Sequence, residues 1–201
     1  MKIIGIDPGS IFCGYGVIES IGKTLSVVEY GTIEVKKKVE YLPLRMKEIY
    51  NRISSVIERT LPDAAAIETT FYSKNPQSLI KLTMARSAAI LAVVNKNIDI
   101  NEYSPLEIKR AVTGRGNASK EQVSFMMKAI LNITEPTKYY DTTDALAIAV
   151  CHSNHILTRK TNNNLLDYNK GISKNIVGSK SAKKSSWKNY LENNLDKIVK
   201  L

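Results

Sequence analysis

Four carboxylates stand where they could do chemistry together. Asp7 ends an apolar run, KIIGID at 2–7, where a charge seldom lies without a partner. Glu68 ends a second run, AAAIE at 64–68. Asp141 and Asp144 are three apart at the start of an apolar helical pattern, so they share one face, with Cβ atoms roughly 5–6 Å apart. If the two short runs are neighbouring strands, Asp7 and Glu68 can face the helix that brings the other pair. Oxygen ligands without a fitting His/Cys set select hard cations, Mg²⁺ with Mn²⁺ as a substitute. Two such ions about 3.5–4 Å apart activate a water and stabilise the leaving oxygen of an in-line attack on phosphorus. Each acid also has a plainer use. Asp141 and Asp144 suit a helix N-terminus, at ~0.3–1 kcal/mol each; Glu68 suits an exposed strand end, and Asp7-Pro8-Gly9 is turn chemistry. The four together favour a catalytic role.

Basic and aromatic residues lie near these acids in the chain. Phe71 and Tyr72 follow Glu68 in the polar stretch TTFYSKN, where rings can stack on unpaired bases at ~1–3 kcal/mol per base or pack beneath the loop. Lys109, Arg115 and Lys120 flank the loop Gly114-Arg115-Gly116 and can meet phosphates without reading sequence. Cys151, His152 and His155 fall on one helix with no fourth ligand in a fitting loop, so they read as cover for the core rather than as a zinc site.

The elements that must position these groups are legible in the pattern of apolar residues. Residues 2–7 read as a buried strand, 12–20 as its hairpin partner and 25–35 as a third β run. Leu42, Met46, Ile49, Ile53, Val56 and Thr60 step by three and four, a helix that stops before Pro62. Residues 64–68 form a strand, and Asn75-Pro76 opens a helix to about Asn95. That helix is apolar nearly all round and needs cover on every side. A helix lying on one face of a sheet has one side left over, which points to a homodimer. A strand at 98–102 follows, then helices opened by capping boxes at Ser104/Glu107 and Ser119/Gln122, and a last helix from near Asp141. The expectation is an α/β fold, a mixed central sheet with helices on both faces.

The chain has 201 residues, with 29 Lys+Arg against 19 Asp+Glu, for a net charge of +10. Residues 156–201 hold 10 basic and 3 acidic side chains, so this segment carries +7 of the total. It is rich in Asn, Ser and Lys and too polar to bury a core, so a division into a domain at 1–156 and a mostly disordered basic extension at 157–201 is expected. Within the extension Trp187, Leu191, Leu195 and Ile198 recur at helical spacing, a short helix over 187–200. The opening residues lack the form of a signal peptide, and two cysteines far apart, Cys13 and Cys151, make no disulfide framework. The expectation is a cytoplasmic protein, without a membrane, whose basic surface seeks nucleic acid.

IIGIDPGS (3–10) with GYGVIE (14–19), AIETTFYSKNPQS (66–78), GRGNASKEQV (114–123) and DTTDALAIA (141–149) together resemble the RuvC family, through about residue 156. These are crossover-junction endodeoxyribonucleases, Holliday junction resolvases on an RNase H-like fold. The resemblance implies that Asp7, Glu68, Asp141 and Asp144 are the catalytic, metal-binding acids for Mg²⁺. It implies that Phe71 stacks at the opened junction and that Lys109 and Lys120 bind the backbone near the scissile phosphate. It further implies a homodimer making paired symmetric nicks in four-way junction DNA, thymine-containing cleavage sequences, and work alongside the RuvAB branch-migration complex. The basic extension is longer than the resemblance leads one to expect. Three other readings stay open: an RNase H-like pre-rRNA-processing nuclease, a junction-binding protein without catalysis, and an actin-like or sugar kinase, whose phosphate loop IIGIDPGSIFCGYGVIE resembles. The last needs two such domains around a nucleotide, and the chain has length for one.

Overall fold

The computed structural model describes residues 1–35, 41–69, 75–134 and 139–176, with side chains to residue 159. Five strands form one sheet: β1 (Lys2–Asp7), β2 (Phe12–Ile21), β3 (Thr24–Glu34), β4 (Ala64–Glu68) and β5 (Ile100–Tyr103). Their order is β3-β2-β1-β4-β5. The β1–β2 and β2–β3 pairs are antiparallel hairpin neighbours, whereas β1–β4 and β4–β5 are parallel. Parallel neighbours need crossovers, and the helices supply them. They are α1 (Leu42–Thr60), α2 (Pro76–Val94), α3 (Pro105–Thr113), α4 (Lys120–Leu131) and α5 (Tyr140–Ile176). The mixed sheet with helices on both faces is the expected RNase H-like class.

Side chains on a strand alternate between faces, and this alternation assigns each residue its neighbours. Ile4 and Ile6 of β1 and Ala65 and Ile67 of β4 join one core with Ile49, Ile53 and Val56 of α1 and Ala85, Ala89 and Val93 of α2. Ile3, Ile18 and Ala66 join the opposite core with Ile108 and Val112 of α3, Val123 and Met127 of α4, and Leu146 and Ile148 of α5. Asp7 and Glu68, in step with Ile3 and Ala66, therefore point toward the α3–α4–α5 side. The β1–β4 register runs Ile3↔Ala64 to Ile6↔Ile67, and one step further sets Asp7 beside Glu68.

α5 comes unusually close to the sheet because glycines leave room for it. A Cβ on Gly5 would lie 2.1 Å from the carbonyl oxygen of Ala145, and one on Gly14 would lie 2.0 Å from that of Asp141. Gly16, the partner of Gly5 in the register, sits under Leu146 in the same way. Gly14 is the register partner of Asp7, so the first turn of α5 rests directly beside the strand end that carries this acid. Two ties hold that turn in place: Thr32 Oγ1 and Thr142 Oγ1 are 2.7 Å apart, and the Phe12 and Tyr139 rings stack at 4.6 Å between centroids.

Most boundaries differ from the sequence reading by a residue or two, and one by more. β5 lies at 100–103 rather than 98–102, because Asn97 takes a left-handed turn (φ 56°) and delays the strand. α2 ends at Val94, a residue early. The boundary expected at 156 falls inside α5, and residues 157–176, expected to lack structure, continue the helix. No proline or glycine occurs from Asp141 to Lys170, so nothing there stops a helix, and polar composition by itself does not. The chain divides into two units, Met1–Arg159 and Lys160–Leu201; the segment 187–200 lies outside the described residues. α2 is long and apolar enough to cross a membrane by length and composition, yet one side of it is core, built on alanines that let it pack tightly against α1 and the sheet.

The glycine seat is testable. Gly5→Ala is expected to cost about 1–3 kcal/mol, the range for overpacking a filled core, read as a lower denaturation midpoint. A change within about 0.5 kcal/mol would show that α5 does not need this approach.

Candidate active site

Three of the four expected acids meet. Asp7, Glu68 and Asp144 line one pocket of about 220 Å³ together with Pro105, Ile108, Lys109, Lys120 and Val123. Each reaches it by its element's geometry. Asp7 and Glu68 terminate adjacent parallel strands, Asp144 lies on the second turn of the close-lying α5, and Lys120 is the first residue of α4. The Ser119–Gln122 capping box sets where α4 begins, since each side chain bonds the other's main-chain N–H. Lys109 comes from α3, whose start is set likewise by Ser104 and Glu107. Asp141, one turn before Asp144, is not among the lining residues; its charge acts on Asp7 and Asp144 from alongside.

The electrostatics are those of crowded anions. Asp7 is pushed well above its ordinary value of 3.8, first by burial and then by the charges of Glu68, Asp144 and Asp141, with Lys120 opposing. Glu68 is raised by burial and by Asp144, against Lys120 and Lys109. Asp144 is raised by burial, while Lys120 pulls it down by charge and by a hydrogen bond. That bond runs from Lys120 Nζ to Asp144 Oδ2 at 3.2 Å, with the Asp144 side chain 15% exposed and the lysine largely in solvent. Burial lowers the Lys120 pKa, but Asp144, Asp7 and Asp141 more than offset it, so it stays charged.

A divalent cation suits this donor set chemically: the acids are hard oxygen ligands, and their mutual repulsion is what a nearby positive charge relieves. Among the described residues, however, no group of three or more His, Cys, Asp or Glu already stands in a ligating arrangement. Lys120 supplies the nearest countercharge. The side chains of Asp7, Glu68 and Asp144 would have to draw together around an ion.

The remaining expected residues divide. Lys109 and Lys120 belong to the pocket. Arg115 does not; it borders a separate hollow with Thr113, Gln122 and the exposed Phe125, because Gly114 turns the chain left-handed (φ 75°) and sends Arg115 outward. Phe71 and Tyr72 lie outside the described residues. Cys151 is buried in the core, the His152 ring nitrogen Nδ1 is 2.7 Å from the hydroxyl of Tyr103, and the His155 ring sits 4.9 Å from the Tyr103 ring. One contact was not foreseen. Arg86 on α2 reaches the main chain of Glu68 and the carboxylate of Glu102; the available signal was a guanidinium within the mostly apolar stretch 84–94 of that helix.

An acidic pocket at the ends of two parallel strands of a mixed sheet, faced by a helix carrying two more acids and by two lysines, defines a phosphodiester-cleaving α/β protein of the RNase H-like class. The family profile "Crossover junction endodeoxyribonuclease RuvC" matches residues 3–152. The crossover junction endodeoxyribonuclease RuvC of Prosthecochloris aestuarii is 37% identical over 99% of this chain and 100% of its own length. That of Geobacter sulfurreducens is 47% identical over 77% of this chain and 93% of its own. Among solved structures, Thermus thermophilus RuvC is 30% identical, with a TM-score of 0.70 over 78% of this chain and 95% of that one. The same protein in complex with Holliday junction substrate gives 29% and 0.73, over 79% and 96%. The chain belongs to the RuvC family of endodeoxyribonucleases.

The raised acids predict a pH effect of definite sign. A carboxyl with a raised folded pKa is held protonated longer in the fold than in the unfolded chain, so its ionisation costs stability as pH climbs past its ordinary value. Asp7→Asn cannot ionise. In metal-free protein it is expected to raise the melting temperature near pH 7.5 and to lose that gain below about pH 3.5, where Asp7 is itself neutral. A lower melting temperature than wild type at about pH 7.5 would contradict the crowded-anion picture.

Proposed function

We propose that this chain resolves four-way DNA junctions by hydrolysing one phosphodiester on each of two symmetric strands. The observation that carries the reading is the convergence of Asp7, Glu68 and Asp144 on one pocket with Lys109 and Lys120 at its wall. The lysines neutralise the scissile phosphate and hold it against the acids without reading bases. The acids, with Asp141 alongside, would hold Mg²⁺, for which Mn²⁺ would substitute. A bound divalent ion supplies an activated water and stabilises the charge on the leaving oxygen. The attack forms one P–O bond and breaks the bond to the 3′ oxygen, leaving a 5′-phosphate and a 3′-hydroxyl. Phe71 and Tyr72 suit the role of stacking on bases exposed at the branch point, and Arg115 that of a more distant phosphate contact. The proposed setting is the cytoplasm, beside the RuvAB branch-migration complex.

Two-fold symmetry in the substrate calls for two sites related by a two-fold axis. The outer side of α2 offers the surface: Ile80, Met84, Leu91 and Val94 are exposed there, and Met46, Leu79 and Ala88 help line a hollow of about 500 Å³. We assign this face to a second copy of the chain. A homodimer so formed presents one pocket to each symmetric strand, whereas linear duplex lacks the geometry and is cut poorly.

Two experiments test the reading. Labelled four-way junction, linear duplex and a structured RNA are incubated with protein and Mg²⁺, beside Asp7→Asn. Paired nicks in the junction alone are expected, abolished in Asp7→Asn while junction binding persists. Cleavage of the RNA instead would favour the pre-rRNA-processing alternative, and binding without cleavage a silent junction binder. Replacing Met84 and Leu91 together by Glu is expected to yield a monomer in sedimentation that no longer nicks both strands within one binding event. A dimer that survives both substitutions would place the interface elsewhere.

A further inference from the structure

Arg86 is bound at two points of the sheet end that carries Glu68. Its side chain, 17% exposed, lies with Nη2 2.6 Å from Glu102 Oε2. Its Nε donates to the main-chain carbonyl of Glu68 at 3.3 Å. Glu102 pairs with Ile67 across the β4–β5 ladder and Tyr103 pairs with Glu68, so one guanidinium spans both strands at the level of the acid. At the other end of the same peptide unit, the Thr69 N–H donates to the Tyr103 carbonyl at 2.8 Å, and Thr69 Oγ1 donates to the same oxygen at 3.3 Å. The peptide unit that follows Glu68 is thus held at both its carbonyl and its N–H, directly after the side chain departs toward the pocket. Arg86 itself is not among the residues lining that pocket.

A stabilising ion pair needs no such arrangement. With Glu102 half exposed, the pair alone contributes little, and a lysine would serve a single carboxylate as well. What only an arginine provides is a rigid fork that can hold a carboxylate with one nitrogen while another donates to a carbonyl. We infer that Arg86 is a positioning residue for the nuclease reaction: it fixes the end of β4, so that the Glu68 carboxylate is presented to the pocket in one orientation. It does so from α2, the helix whose outer face is assigned to the second copy. The inference rests on Glu68 being one of the acids of the site.

The test compares wild type, Arg86→Lys and the charge-reversed pair Arg86→Glu with Glu102→Arg. Four quantities are measured: Mn²⁺ affinity by electron paramagnetic resonance, melting temperature, junction affinity and the single-turnover nicking rate. Arg86→Lys is expected to weaken Mn²⁺ binding and slow nicking by about 10-fold or more, the usual cost of losing a group that orients a ligand, with junction affinity within about twofold. The reversed pair rebuilds the ion pair but puts no donor on the Glu68 carbonyl. Recovery of the melting temperature while Mn²⁺ affinity and rate stay low supports positioning. Return of all of them to wild-type values, or an Arg86→Lys protein indistinguishable from wild type, overturns it. If the reversed pair does not fold, Arg86→Lys decides. Wild type and Asp7→Asn run in the same series: nicking that survives Asp7→Asn refutes the assignment of the acids, a result distinct from failure at Arg86.

Discussion

The distance between α5 and the sheet governs this molecule. Two of the acids ride on that helix and two stand on strand ends beneath it, so the site exists only if helix and sheet meet closer than side chains ordinarily permit. Gly5, Gly14 and Gly16 remove the obstacle, and they do so on the face to which Asp7 points. The tight apolar packing of Leu146 and Ile148 then holds the helix down. Closeness has an electrostatic cost, since the same approach gathers Asp7, Glu68 and Asp144 where water is scarce and raises the affinity of these three for protons. Lys120, pinned by its helix cap, offsets part of that repulsion through Asp144.

Much of this was legible in the chain itself. The short apolar runs KIIGID and AAAIE were read as two strands, and the three-residue spacing of Asp141 and Asp144 placed both on one helical face. The capping boxes at Ser104 and Ser119 marked where α3 and α4 begin, and so where Lys109 and Lys120 stand relative to the pocket. The family resemblance rested on residues that the comparisons match almost throughout, 3–152.

What stayed hidden shares a physical character: it depends on which surfaces meet, and sequence periodicity does not say. Strand order put β1 between β2 and β4, and only that order sets Asp7 next to Glu68 and over Gly14. Arg115 seemed as well placed as Lys120 from its position near a glycine loop, yet a left-handed turn at Gly114 sends it to another surface. Arg86 was lost among apolar neighbours because its partners, Glu102 and the Glu68 carbonyl, are distant in sequence. That α5 runs past residue 156 was not legible, because polar composition argues against a buried core but not against a helix.

Asp7 and Glu68 are the last residues of their strands. The Asp7 main chain is settled by ladder bonds made upstream, and that of Glu68 by its ladder together with the Arg86 and Thr69 bonds beside it. Changes elsewhere in the chain that spare those bonds therefore leave both carboxylates at the same height on the sheet.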